Sequence, residues 1–210
     1  MIVHIFERLL GYIFFSLSLF QMFRQKISTN LESMQELHVK HGWIPGAESI
    51  RPNAALIEKK HNYITNMLTR YGTLQDFFLH RVFGLKPTVQ GNWQNSKMHV
   101  AETEIAAARA AALEKSNRHA YRFIPNLFSY QVPVGTNHYV IWFLLNGNET
   151  HDPVTNAPVT DDEINTSIEE ALRKLLGPTN DKFSFAWYLN PKPTITSDVL
   201  YHVQVFWISE

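Results

Sequence analysis

Two histidines of this chain sit at alternating positions in apolar runs, and imidazole is the side chain whose charge changes most readily near neutral pH. In "LYHVQVFWI", His202, Gln204 and Phe206 alternate with Val203, Val205 and Trp207. In "HYVIWFLL", His138, Val140 and Trp142 alternate with Tyr139, Ile141 and Phe143. Both runs are rich in β-branched and aromatic residues and read as strands. Successive strand side chains point to opposite faces, so His202, Gln204 and Phe206 share one face and His138 shares another with Trp142. If these are one face of one sheet, the two imidazoles converge. Converging imidazoles can act as acid and base or hydrogen-bond a phosphate. Equally, each can be a core ring whose tip bonds a loop carbonyl.

Other constellations carry less. "HVKH" places His38 and His41 three apart with no third ligand nearby, so no metal is expected. "VPVGTN" has a single glycine and is no phosphate loop. Ser129 and Ser197 lack a nucleophile-elbow setting. Asp161, Asp162 and Glu163 read as charges of a helix N-terminus rather than an acid/base pair. Arg70 and Arg81, on adjacent predicted helices, either reach an anionic ligand or form surface ion pairs. No cofactor is implied.

The elements that must position these residues come from a chain of 210 residues, 45% hydrophobic and 13% aromatic. That suffices for a core and suggests one domain with an added helical segment. Nineteen basic and nineteen acidic residues cancel, which argues against a charge-driven nucleic-acid binder. Without cysteine there is no disulfide, thiolate nucleophile or cysteine-ligated zinc, and nothing asks for an oxidising compartment. A cytoplasmic location is expected, with membrane association through the N-terminal segment as the alternative.

That segment, "LLGYIFFSLSLFQMF" at 9–23, is the most apolar stretch. It is shorter than the ~20 residues that span a bilayer, and it lacks a small-x-small cleavage site. It reads as a helix packed on the domain or a partner, as a membrane anchor or uncleaved signal, or as an extension outside the folded protein. Residues 1–33 are accordingly set apart from a single domain at 34–210. The sequence does not specify an oligomeric state.

Within the domain, residues 34–120 read as helical. "RPNAALIEKKHNYITNMLTRYG" has apolar residues at helical spacing, with Pro52 suited to the first turn. "TLQDFFLHRVFG" has Thr73 as N-cap with Asp76 three residues on, and Gly84 at its end. "LKPTVQGNWQN" reads as a loop and "KMHVAETEIAAARAAALEKSN" as a third helix. Residues 121–210 read as β-β-α-β-β: "NLFSYQV", "HYVIWFLL", the helix "TDDEINTSIEEALRKLLGP" capped by Thr160, then "FSFAWYL" and "LYHVQVFWI". The fold expected is α+β, with an antiparallel sheet of about four or five strands and helices on one face.

Three blocks in order, "YITNMLTRYGTLQDFFLHRVFG", "IPNLFSYQVPVGTNHYVIWF" and "FAWYLNPKPTITSDVLYHVQVFW", resemble the fungal N-acetylglucosamine-induced protein family, a conserved domain of unknown function. The resemblance covers about residues 43 to 208 and rests on Tyr71-Gly72-Thr73, Arg81, Asn126, Tyr130, His138, Trp142, Trp187, Asn190 and His202. Asn126 is followed by Leu-Phe-Ser where the family has Asp-x-Pro, and the last strand has Gln204 where the family has a second His. More remotely, the closing strands are similar to the second half of the histidine-triad fold, where alternating histidines face a phosphate. There Gln204 stands at the nucleophile position, and an amide cannot form a phosphoramidate.

The resemblance implies an intracellular protein that binds a small phosphorylated or sugar-nucleotide ligand around His138, Asn190 and His202, with Gln204, Asn126, Arg81 and Arg70 as further candidates. Two other readings stand beside it. One is a hydrolase or transferase on such a ligand, with His138 or His202 as acid/base. The other is a non-enzymatic assembly protein docking through its apolar N-terminus.

Overall fold

The structure is a computed structural model that describes residues 23–27, 52–92, 95–116, 118–132, 134–145, 157–177, 182–189, 195 and 197–209. The His38–His41 pair, Asn190 and most of the apolar 9–23 segment lie outside the described residues. Among the described residues no helix is long and apolar enough to cross a membrane, and no group of His, Asp or Glu could hold a metal ion.

The elements run β1 (Phe23–Ile27), α1 (Ala54–Leu68), α2 (Leu74–Arg81), β2 (Pro87–Gln90), β3 (Lys97–Val100), α3 (Glu102–Ser116), β4 (Ala120–Pro125), β5 (Asn137–Leu144), α4 (Asp161–Leu176), β6 (Phe183–Tyr188) and β7 (Leu200–Ser209). The fold is α+β. A five-stranded antiparallel sheet has the order β1-β6-β7-β5-β4, and β2 and β3 form a separate hairpin. β1 pairs with β6 from inside the segment that hydropathy sets apart.

Helices cover both faces of the sheet, not one. Ile141, Phe143, Val203, Val205, Phe185 and Trp187 pack under Ile164, Ile168 and Leu172 of α4. Val140, Trp142, Leu144 and Leu200 pack under Leu79 and Phe83 at α2 and Ile105 of α3. The central strands are apolar on both faces, and each face needs its own cover. Burying the fully enclosed Phe143, Phe185 and Phe206 contributes roughly 2–3 kcal/mol each.

Two segments differ from the sequence expectation. "NLFSYQV" is a loop, and the strand lies just before it, at Ala120–Pro125. The ladder closes with the Asn126 N–H donating to His138 O at 2.9 Å, after which the Phe128 and Tyr130 N–H groups turn to side chains. "LKPTVQGNWQN" and the start of the third predicted helix supply the β2–β3 hairpin, so α3 begins at Glu102.

The Tyr71-Gly72-Thr73 motif clasps this hairpin onto α2. The Gly72 N–H donates to Met98 O at 3.0 Å, and the Met98 N–H donates to Arg70 O at 2.8 Å. Thr73 caps α2 and also donates its hydroxyl to the buried Asp76 at 2.7 Å. Asp76 in turn accepts from the Val100 N–H at 2.8 Å and sits 3.3 Å from His99 Nδ1. A Cβ on Gly72 would fall 1.8 Å from His99 Cε1, so only glycine fits against that ring. Gly72→Ala is expected to push His99 off Asp76 and cost about 1–3 kcal/mol. A melting temperature equal to the parent protein's would show that the clasp tolerates a methyl.

Candidate functional site

His138 and His202 do lie on one face of the sheet, on the neighbouring strands β5 and β7. The register separates them: His138 stands opposite Phe206, and His202 stands opposite Trp142. They therefore serve different surroundings.

His138 is a core residue with both nitrogens engaged. Nδ1 accepts the Tyr130 N–H at 2.9 Å, and a backbone N–H can only donate. The ring proton must therefore sit on Nε2, which donates to Gln204 Oε1 at 2.8 Å. Gln204 Oε1 also accepts from Asn126 Nδ2 at 2.9 Å, while Asn126 Oδ1 accepts from the Phe128 N–H at 2.9 Å. Asn126 Nδ2 also lies 3.2 Å from His138 Nε2, but two donors cannot bond one another. The ring stacks on Phe206 at 4.5 Å between centroids. Burial pushes its pKa down to about 4, against the smaller opposing effect of Gln204, so the ring is neutral at pH 7. A ring with both tips committed to the protein is not an acid/base group, and that role for His138 is set aside.

His202 is placed differently. It stacks on Trp142 with centroids 4.1 Å apart and borders a cavity of about 160 Å³ between α1, α2 and the sheet. Burial, and then the nearby charge of Lys60, pushes its pKa down to about 4. Lys60 is partly buried on α1, which lowers its own pKa. Tyr63, Phe77, Phe78, Phe128, Tyr130 and Trp142 supply an aromatic lining, and Lys60, Asn126, His202 and Gln204 the polar groups. Because Gln204 Oε1 is held by His138 and Asn126, its Nε2–H₂ is the end left to face the cavity.

The structure thus brings Asn126, Gln204 and His202 to the cavity wall, while His138 sits behind them, bonded to Gln204. Arg70 and Arg81 are exposed and line no part of the cavity. Phe206, at the third position of the triad-like strip, is fully buried against His138 and Tyr188, so that strip is closed at one end. Tyr130 belongs to the same cluster, sharing a 2.6 Å hydroxyl bond with Tyr188. Trp187 points to the other face, where its Nε1–H donates to the buried Asn165 at 2.9 Å.

A model of a family described as a protein of unknown function (DUF3605) matches residues 46–207. The chain belongs to that family. No curated protein and no solved structure matches it. The family match takes in every described residue of the cavity, so the cavity is a feature of the family domain rather than of the N-terminal segment.

Sequence reasoning passes over Lys60, although a signal exists. Leu56, Lys60, Ile64 and Met67 follow one helical stripe, and a lysine inside an apolar stripe is placed at a cavity or a snorkelling position. It also misses His119 and its pairing with Glu163. Glu163 fills the N3 place of a capping box, and its own N–H does donate to Thr160. Its carboxylate instead accepts the His119 N–H at 2.8 Å and lies 3.0 Å from His119 Nδ1. Burial raises the Glu163 pKa, and the bonds from His119 outweigh that, leaving it lowered.

Proposed function

We propose that this family domain binds a small phosphorylated ring compound in the α1–α2 cavity. The reading rests on one observation: Lys60, His202 and the Gln204 amide approach the same region of an otherwise aromatic, apolar cavity. A few polar groups in an apolar concavity are the usual make-up of a ligand site. The aromatic wall suits a flat ring, and Lys60 suits one anionic group. The resemblance to N-acetylglucosamine-induced proteins adds sugar phosphates and sugar nucleotides to the class. The role is binding, because Gln204 cannot become a phosphorylated nucleophile and both His138 nitrogens are occupied.

The test titrates the full chain with uridine monophosphate, N-acetylglucosamine 6-phosphate and uridine diphosphate N-acetylglucosamine, following protein fluorescence and melting temperature. At least one probe is expected to bind, at least tenfold more weakly in both Lys60→Ala and His202→Ala. His202→Ala should remain folded, since its ring edge meets the cavity. No binding by any probe, or equal binding by both variants, would remove the reading. Turnover of a bound probe that is lost in His202→Ala would replace binding with catalysis.

A further inference from the structure

We infer that the groove between α3, β4 and α4 is a second binding site, for an organic anion with an apolar body and a phosphate or carboxylate head. The groove has a volume of about 1000 Å³ and is separate in its lining from the α1–α2 cavity. Phe83, Leu85, Ala108, Phe123 and Leu144 give it apolar walls. Its charged lining is Lys115, Arg118, Arg122 and Lys174 against one carboxylate, Glu170. Arg118 already neutralises Glu170 through two bonds of 2.9 Å, which leaves the other three cations in excess. Arg122 is held at the wall, donating to Tyr121 O at 2.9 Å with its guanidinium 5.5 Å from the Phe83 ring centre.

The observation that points to a ligand is His119. It borders the groove, is only 8% exposed, and is fixed by Glu163 as the Nδ1–H form. Its Nε2 is buried with no hydrogen-bond partner. Buried polar atoms are nearly always paired, so an unpaired one calls for an explanation. An oxyanion that reached Nε2 would accept from the protonated ring, whose charge Glu163 balances. Strand addition along β4 fits less well: Glu163 takes the His119 N–H, Arg122 takes Tyr121 O, and Pro125 has no N–H to offer.

The experiment titrates the full chain with octyl phosphate, octanoate and octanol at fixed ionic strength, by calorimetry and amide NMR. The two anions are expected to bind and to shift amides of 118–123, with octanol at least tenfold weaker. Lys174→Glu combined with Arg122→Gln, both on exposed side chains, should weaken octyl phosphate at least tenfold with the melting temperature held. His202→Ala should leave its affinity unchanged. Absent binding, equal binding of octanol, or indifference to the double variant would overturn the site. Loss of binding in His202→Ala would assign it to the α1–α2 cavity and overturn it as well.

Discussion

His138→Ala is expected to lose about 3–5 kcal/mol of folding stability at pH 7, and with it much of the cooperative transition of a marginally stable domain. Two losses add. Removing the ring opens a cavity beside the fully buried Phe206, on which it stacks. It also strands the Tyr130 N–H and takes one donor from Gln204 Oε1, leaving polar groups unpaired in a buried setting. The effect should reach the loop 126–132, which is tied down through Asn126 and Tyr130. Urea unfolding of the variant measures the loss. A change below about 1 kcal/mol would mean that the ring is not the keystone of this cluster. His202→Ala provides the contrast, because a ring edge facing a cavity leaves no buried backbone partner behind.

That division of labour between two similar-looking histidines marks where the sequence stops being informative. Alternation in "HYVIWFLL" and "LYHVQVFWI" correctly assigns each His to its face, because side-chain direction in a strand depends only on position. What each ring meets depends on register, and on a loop that no periodicity announces. "NLFSYQV" looks more like a strand than "AYRFIP" does, yet Pro125 and the side-chain bonds of Asn126 turn it into the lid over His138. The sequence expectation puts helices on one face only, although the unbroken "YVIWFLL" is the mark of a strand buried on both sides. The β2–β3 hairpin is not legible in the sequence, since β2 is four residues long, opens on a proline and is largely exposed. Glu163 illustrates a different gap. Capping-box spacing places its backbone, while its carboxylate is claimed by His119, 44 residues earlier in the chain.

The same burial that makes the histidines structural makes stability fall in acid. His138 and His202 both have folded pKa values of about 4 against 6.5 for an unperturbed imidazole. The unfolded chain therefore binds protons that the folded chain refuses. Their contribution is fully present above pH 6.5 and is lost progressively as pH falls from there to about 4. For His138 the difference corresponds to about 3 kcal/mol, at about 1.4 kcal/mol per unit. His202, lowered to the same value mainly by its own burial, contributes a similar amount. Glu163 acts in the same direction lower down: its lowered pKa favours folding above the carboxylate range and ceases to do so as it protonates. Urea midpoints are thus expected to be flat from pH 8 to 7 and to drop steeply between 6.5 and 4. The imidazole ring protons of His138 should meanwhile show no titration above pH 5 by NMR. His202→Ala should keep only the part of the slope that belongs to His138, since the two rings are lowered alike. A midpoint at pH 5 equal to that at pH 7 would place protonation of both rings outside the folding equilibrium, and would remove the buried, neutral His138 on which the cluster depends.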